Sequence, residues 1–266
     1  MTRSSAVKAI VVLLTMAVLA TGCGSGKPAK PPRPSASVAN SADVPWSNVW
    51  SASTGIDLFT RGAELVRASV EAGLLAKAHG PDHSFVGYQQ AIGPLDFSYG
   101  DPRLRNKNFG YATEGFDPSV PEFSVIYYRL TELRSDASSI DAKVCSYGLT
   151  PYPSEAGKYL FRAVFVTLEK AANASAGTSG VKDSGTYATG EKGRAPTWNV
   201  FAPWSITQLR SVEAQEIPAS CAAWWGSVFP DAVKSSTSNQ MVRPSGGPIA
   251  PDVPQYPRWI GPSDTE

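Results

Sequence analysis

Cysteine and histidine are scarce in this 266-residue chain, with three of the first and two of the second. Cys23, Cys145 and Cys221 lie too far apart for a zinc-ligand spacing. His79 and His83 flank Gly80-Pro81-Asp82, a break that keeps them off a common helix face. No metal is expected there, and nothing in the chain calls for a cofactor. Clustered charge is also missing. Twenty-four bases meet 23 acids without a Lys/Arg run, which leaves nucleic acid no electrostatic footprint to bind. There is no Gly-x-Ser-x-Gly elbow and no Gly-rich nucleotide loop before a helix. Ser179-Gly180-Val181-Lys182 has the Ser-x-x-Lys spacing of penicillin-recognising enzymes. It sits in a Gly/Ser loop, however, and the companion Ser-Asp-Asn and Lys-Thr-Gly motifs are absent. A long apolar run is missing too. The N-terminal run, Ala9 to Ala20, has twelve residues, against the roughly 20 that a membrane span needs.

That short run lies between Arg3 and Lys8 on one side and Leu19-Ala20-Thr21-Gly22-Cys23 on the other. A positive start, an apolar stretch and a small-residue end make a cleavable signal over residues 1–22. The last five residues resemble the signal ending of bacterial lipoproteins, in which the cysteine thiol is acylated and the chain is cut just before it. The resemblance implies that Cys23 is the lipidated N-terminus and that the membrane is a partner through this lipid. The family prefers Leu three residues before the cysteine, where this chain has Ala20. Ala20-Thr21-Gly22 would also serve an ordinary signal peptidase, so a freely secreted protein is the alternative. Removing residues 1–22 leaves 22 bases against 23 acids, a net charge of −1. An anchored acyl chain contributes about 0.8 kcal/mol per buried methylene, so a two-chain lipid holds firmly.

Export sets the reading of the remaining cysteines. Cys145 and Cys221 are most simply one disulfide in an oxidising compartment, with two free thiols as the alternative. Residues 23–45 read as lipid anchor and flexible tether, with prolines at 28, 31, 32 and 34. Residues 46–234 read as a single domain and 235–266 as a Pro-rich tail, irregular or draped on the domain through Tyr256, Trp259 and Ile260.

Within the domain, Phe59, Ala63, Val66, Val70 and Leu74 predict an amphipathic helix over 56–78. Arg61, Glu64, Arg67, Glu71 and Lys77 mostly avoid that stripe. Asp57 or Thr60 would cap it, and Gly80-Pro81 would end it. A shorter helix capped by Asp82 would run to Ile92, followed by a loop over 93–122. Strands are expected over 124–134, 138–147 and 159–170, the last apolar enough to be central and buried on both faces. A loop over 171–195 leads to a strand pair over 197–209 interrupted at Pro203. Cys221, Trp224, Trp225 and Phe229 place a helix over 218–229. Helices first and strands after argue for an α+β fold with an antiparallel sheet.

This order, with Leu65-Val66-Arg67-Ala68-Ser69-Val70-Glu71-Ala72, Asp141-Ala142-Lys143-Val144-Cys145 and Trp198-Asn199-Val200, resembles exported actinobacterial proteins with an NTF2-like domain. The resemblance implies a curved sheet around the long helix, with a pocket at its wide end. The fold hosts enzymes, binding modules and assembly domains, so it assigns no role.

For acid–base work a carboxylate must sit in an apolar pocket, and Asp57, Asp141 and Glu169 are the candidates. Asp57 reads equally as a cap and Asp141 as a solvent-facing strand residue, so no catalytic residue is assigned. Trp198, Trp204, Trp224 and Trp225 are the candidate pocket or partner surface. The expectation is a non-enzymatic envelope module that binds a protein or a small apolar or sugar-like ligand. A pocket enzyme (isomerase, cyclase or hydrolase) is the first alternative, and a structural protein whose tail engages the cell wall is the second. A buried carboxylate or His facing an open pocket would favour the enzyme, and a closed apolar cone with an exposed Trp patch would favour the binding module.

Overall fold

The computed structural model describes residues 44, 46–80, 83–93, 123–149, 161–185, 194–242, 251 and 253–262. The signal over 1–22, Cys23, nearly all of the tether, the Asp82 cap and the stretch 94–122 lie outside the described residues.

The described chain begins with a strand, β1 (Ser47–Ala52), which the sequence reading did not assign. Helix α1 (Arg61–His79) follows, then the short α2 (Tyr88–Ile92). Three strands come next: β2 (Val125–Ser135), β3 (Ser139–Leu149) and β4 (Arg162–Glu169). After β5 (Ser205–Ser211) come helix α3 (Ala219–Val228) and a two-residue hairpin, β6 (Val233–Lys234) with β7 (Met241–Val242). The large sheet has the order β1-β2-β3-β4-β5. The fold is α+β, but the sheet is mixed rather than antiparallel, because β1 runs parallel to β2 from Ser47 beside Val125 to Ala52 beside Leu130. The physical reason is the connection: a parallel pair needs a crossover between its strands, and α1 and α2 lie between β1 and β2 in the chain. The other three pairings are antiparallel.

Thr60 is the cap of α1, its hydroxyl accepting from the Ala63 amide at 3.4 Å. Asp57 instead turns the chain just before, accepting from the Phe59 amide. The expected apolar stripe is buried, but so is its opposite face. Every residue from Gly62 to Ala76 is buried, including Glu64, Arg67 and Glu71. Avoiding the apolar stripe therefore does not place Glu64, Arg67 and Glu71 in solvent. Residues 176–185 and 253–262 cover them.

Two apolar cores divide the sheet. On the inner face, Trp50, Tyr128, Leu130, Ile140, Val144, Val164, Leu168 and Leu209 pack with α1 and α2. On the outer face, Val125, Cys145, Tyr147 and Ala163 pack under α3 with Cys221, Trp225 and Phe229. The Cys145–Cys221 disulfide joins β3 to α3 across this second core. Because α3 covers only one end of the outer face, β4 is not buried on both sides. Val164, Val166 and Leu168 point inward, while Phe165 and Thr167 are half-buried on the open side. The expected strand pair over 197–209 is also corrected. Residues 197–204 form turns, organised by the Asn199 side chain accepting from the Phe201 and Ala202 amides, and only β5 is a strand. Trp259 lies in the inner core, so that core does not end at 234.

Candidate functional site

The four tryptophans singled out in the sequence do not form one surface. Trp225 is fully buried against Phe161. Trp224, one position earlier, is half-buried against Tyr147. Trp204 is buried and donates to the Ala176 carbonyl at 3.2 Å. Trp198 is half-buried, donates to the Thr178 carbonyl at 3.3 Å and meets Trp259 edge-on. Trp198 and Trp204 thus brace the 176–178 segment, while Trp224 and Trp225 belong to the outer core.

The other sequence candidates are dispersed. His79 stacks on Trp46, and His83 is exposed. Among the described residues no group of His, Cys, Asp and Glu could hold a metal ion. Asp141 is exposed and accepts from the Thr167 hydroxyl at 2.9 Å, and Glu169 is exposed at the end of β4. Ser179 and Lys182 lie in irregular chain, with the Lys182 ammonium 4.9 Å from the Phe59 ring centre.

The carboxylate in an apolar setting is one the sequence reading passed over. Glu71, on α1, accepts from four side chains. Trp50 Nε1 donates at 2.7 Å, Trp259 Nε1 at 2.8 Å, Asn48 Nδ2 at 3.2 Å and Gln255 Nε2 at 3.4 Å. Burial pushes the Glu71 carboxyl up to about 7, against the pull of Arg67 and the bonds from Trp259, Trp50 and Gln255. Arg67, one helical turn earlier, lays its guanidinium 4.4 Å from the centre of the Trp259 ring. Its own pKa is lowered by burial, with Glu71 the main opposing influence. A second buried carboxylate lies beside this group. Asp183 accepts from Arg258 through the backbone amide, Nε and Nη2, and from the Gly185 amide. Burial acts to raise its pKa, but these bonds outweigh it and hold the carboxyl down to about 2. Glu64, on the same helix as Arg67 and Glu71, accepts from the Gly180 amide and from Arg61 at 2.6 Å each.

The accessible site is elsewhere. On the open half of the outer face, β2 to β5 form a cleft of about 170 Å³ lined by Glu132, Arg134, Asp141, Lys143, Phe165 and Gln208 among others. Half-buried Phe165 is its apolar centre. Lys143 Nζ lies 5.6 Å from the centre of that ring, and the Arg210 guanidinium carbon lies 5.0 Å from it. Lys143 also pairs with Glu132 at 2.9 Å, and Arg210 with Glu216 at 2.7 Å. Strand alternation places these side chains together, because i and i+2 share a face and the register sets Lys143 beside Phe165 and Phe165 beside Arg210. The cue in the sequence was Phe165 itself, an aromatic at an outward position of a strand that is otherwise apolar on its inward positions.

Among the described residues no helix is long and apolar enough to cross a membrane. Comparison of the chain with family models, with curated proteins and with solved structures finds no match in any of the three.

Proposed function

We propose that this protein is a non-enzymatic binding module of the cell envelope, tethered to the extracytoplasmic face of the membrane by a lipid on Cys23. It engages another envelope protein through the open outer face of its sheet. The observation that carries this reading is the contrast between its two polar sites. The carboxylate suited to proton transfer, Glu71, is buried and engaged by four donors, so it faces no open pocket. The accessible site is a half-buried aromatic ring flanked by Lys143 and Arg210. Aromatic and Arg side chains in partly desolvated settings are the usual anchors of protein interfaces. The cleft volume, about 170 Å³, is below the roughly 300–1,000 Å³ of small-molecule pockets, which favours a protein partner over a small apolar or sugar-like ligand. The Cys145–Cys221 bridge agrees with an exported domain.

In the same reading the domain is NTF2-like, with α1 lying across the sheet. The large side chains of Trp50, Tyr88, Phe201 and Trp259 fill the inner face where such a cone would take a ligand.

Two measurements test the proposal. Intact mass of the membrane-extracted protein, before and after reduction, should give a diacylglyceryl chain starting at Cys23 that gains two hydrogens on reduction. A photo-crosslinking side chain at Phe165 or Gln208 should give a discrete protein adduct in intact cells, and one at exposed Glu213 should not. An unlipidated chain would overturn the anchor. Adducts that do not distinguish these positions would overturn the binding face.

A further inference from the structure

The segment 253–262 contacts the rest of the protein as a bound peptide would. It runs beside the edge strand β1, where the Trp50 amide donates to the Tyr256 carbonyl at 2.8 Å and the Tyr256 amide to the Asn48 carbonyl at 3.0 Å. Val49 and Tyr256 form a parallel bridge. This is strand addition to an open sheet edge, a recurring mode of peptide recognition. Side chains then supply specificity. Gln255 accepts from the Asn48 amide at 2.7 Å and donates to Glu71. Arg258 grips Asp183 through three donors. Trp259 enters between Phe85 and Trp198, with its indole N–H on Glu71 and its face under Arg67. The Val181 amide donates to the Ile260 carbonyl at 2.8 Å and closes the far end.

The charged complementarity is centred on the carboxylates, while the Trp50, Asn48 and Val181 amides of the cradle donate back to the segment. The cradle offers two buried carboxylates, and the segment offers a guanidinium, an indole N–H and an amide. Buried charges matched by directional donors add less to stability than apolar packing would, but they specify one register and one occupant. The connection to the rest of the domain is long: residues 243–252 carry Pro244, Pro248 and Pro251 and span up to about 33–36 Å when extended.

We propose that the cradle formed by the edge of β1, the Arg67–Glu71 face of α1 and Asp183 is a recognition site for an extended Gln-Tyr-Pro-Arg-Trp segment. The chain fills this site with its own residues 253–262, and it also takes the same segment from a second copy, giving an exchanged dimer. The second copy is the occupant the contacts favour, because its segment reproduces every one of them. The proposal is independent of the outer-face reading.

The test uses the membrane-extracted protein labelled at its C terminus, one preparation with a donor dye and one with an acceptor. On mixing, energy transfer should appear and rise with protein concentration. An excess of a synthetic peptide of residues 251–262 should suppress it. Peptides carrying Trp259→Ala or Arg258→Ala should suppress it at least about tenfold less effectively, since each loses a buried charge-assisted or aromatic contact. Because the substitutions are in the peptide, the fold of the protein is not at stake. Transfer that the unsubstituted peptide leaves unchanged would mean that the copies associate through another surface. Absence of transfer at every concentration, up to temperatures just short of unfolding, would mean that the segment is a fixed part of its own core. Either result would overturn the proposal.

Discussion

Helix α3 and the C-terminal segment 253–262 both cover a face of the central part of the molecule, and they are held by different means. Helix α3 is held by a disulfide and by apolar and aromatic packing of Trp225, Phe229, Tyr147 and Phe161. The C-terminal segment also buries Trp259 in the inner core, but it adds hydrogen bonds and charge centred on Glu71, Asp183, Arg67 and Arg258. A covalent and apolar attachment is indifferent to moderate pH. A polar attachment built on buried carboxylates is pH-sensitive at both of its acids. The difference teaches that two segments can be equally buried and still differ in what releases them.

The largest effect expected is on the α3 side. Replacing both Cys145 and Cys221 by Ala opens a loop of 76 residues. By the chain-entropy argument this costs about 4.5 kcal/mol, read as a lower denaturation midpoint in guanidinium. On the other side, Trp259→Ala removes a buried indole from the inner core and the 2.8 Å bond to Glu71, and should cost about 3–5 kcal/mol. Its effect should be confined to segment 253–262 and α1, read as faster hydrogen exchange there while α3 stays protected. Equal exchange at both places would erase the distinction between the two attachments.

The pH profile sharpens the comparison further. Glu71 is raised from 4.5 to about 7, so between those values the fold keeps a proton that the unfolded chain has released. Its contribution to stability is complete below pH 4.5 and is lost as pH rises through 7, a loss on the order of 3 kcal/mol. Glu71→Gln should flatten that slope in urea midpoints measured from pH 4.5 to 7.5. A slope that persists in the variant would assign the titration to another group. Asp183 has the reverse sign. Its pKa is lowered from 3.8 to about 2, so its contribution is present above pH 3.8 and is lost as pH falls towards 2. Asp183→Asn should weaken that acid-side loss while leaving the neutral-side slope intact.

The smallest expected effect is at Phe165. Phe165→Ala should cost less than about 1 kcal/mol, since the ring is only half-buried, yet it should abolish the outer-face crosslinks. A large loss of stability would make this ring a core residue instead of a binding one.

Much of the scaffold was legible. Ala63, Val66, Val70 and Leu74 repeat at helical spacing and are all buried in α1. The alternation of Ile140, Ala142 and Val144 against Asp141 and Lys143 placed the two faces of β3 correctly. Two cysteines sufficed for the disulfide. Strand β1 was not legible, because Ser-Asn-Val-Trp-Ser-Ala has little alternation and its order comes from pairing with β2 and Tyr256. Glu71 was passed over for a related reason. A helical charge is assigned to solvent by default, and what overturns that default here lies far along the chain, 184 residues away at Gln255 and 188 at Trp259. One signal was present. Glu64, Arg67 and Glu71 are spaced by three and four, so they form a stripe of their own that a covering segment rich in donors could match.

By itself the sequence determined the strongly periodic elements α1, β2, β3 and α3 and the covalent link, since helical and strand periods act over a few residues and only two cysteines remain for each other in the domain. The tertiary structure alone decided that the sheet is mixed, that α1 is covered on every side and that Phe165 is left open while Glu71 is sealed. Burial is a property of what lies on the other side of a residue, and here that other side is supplied by chain more than a hundred positions away.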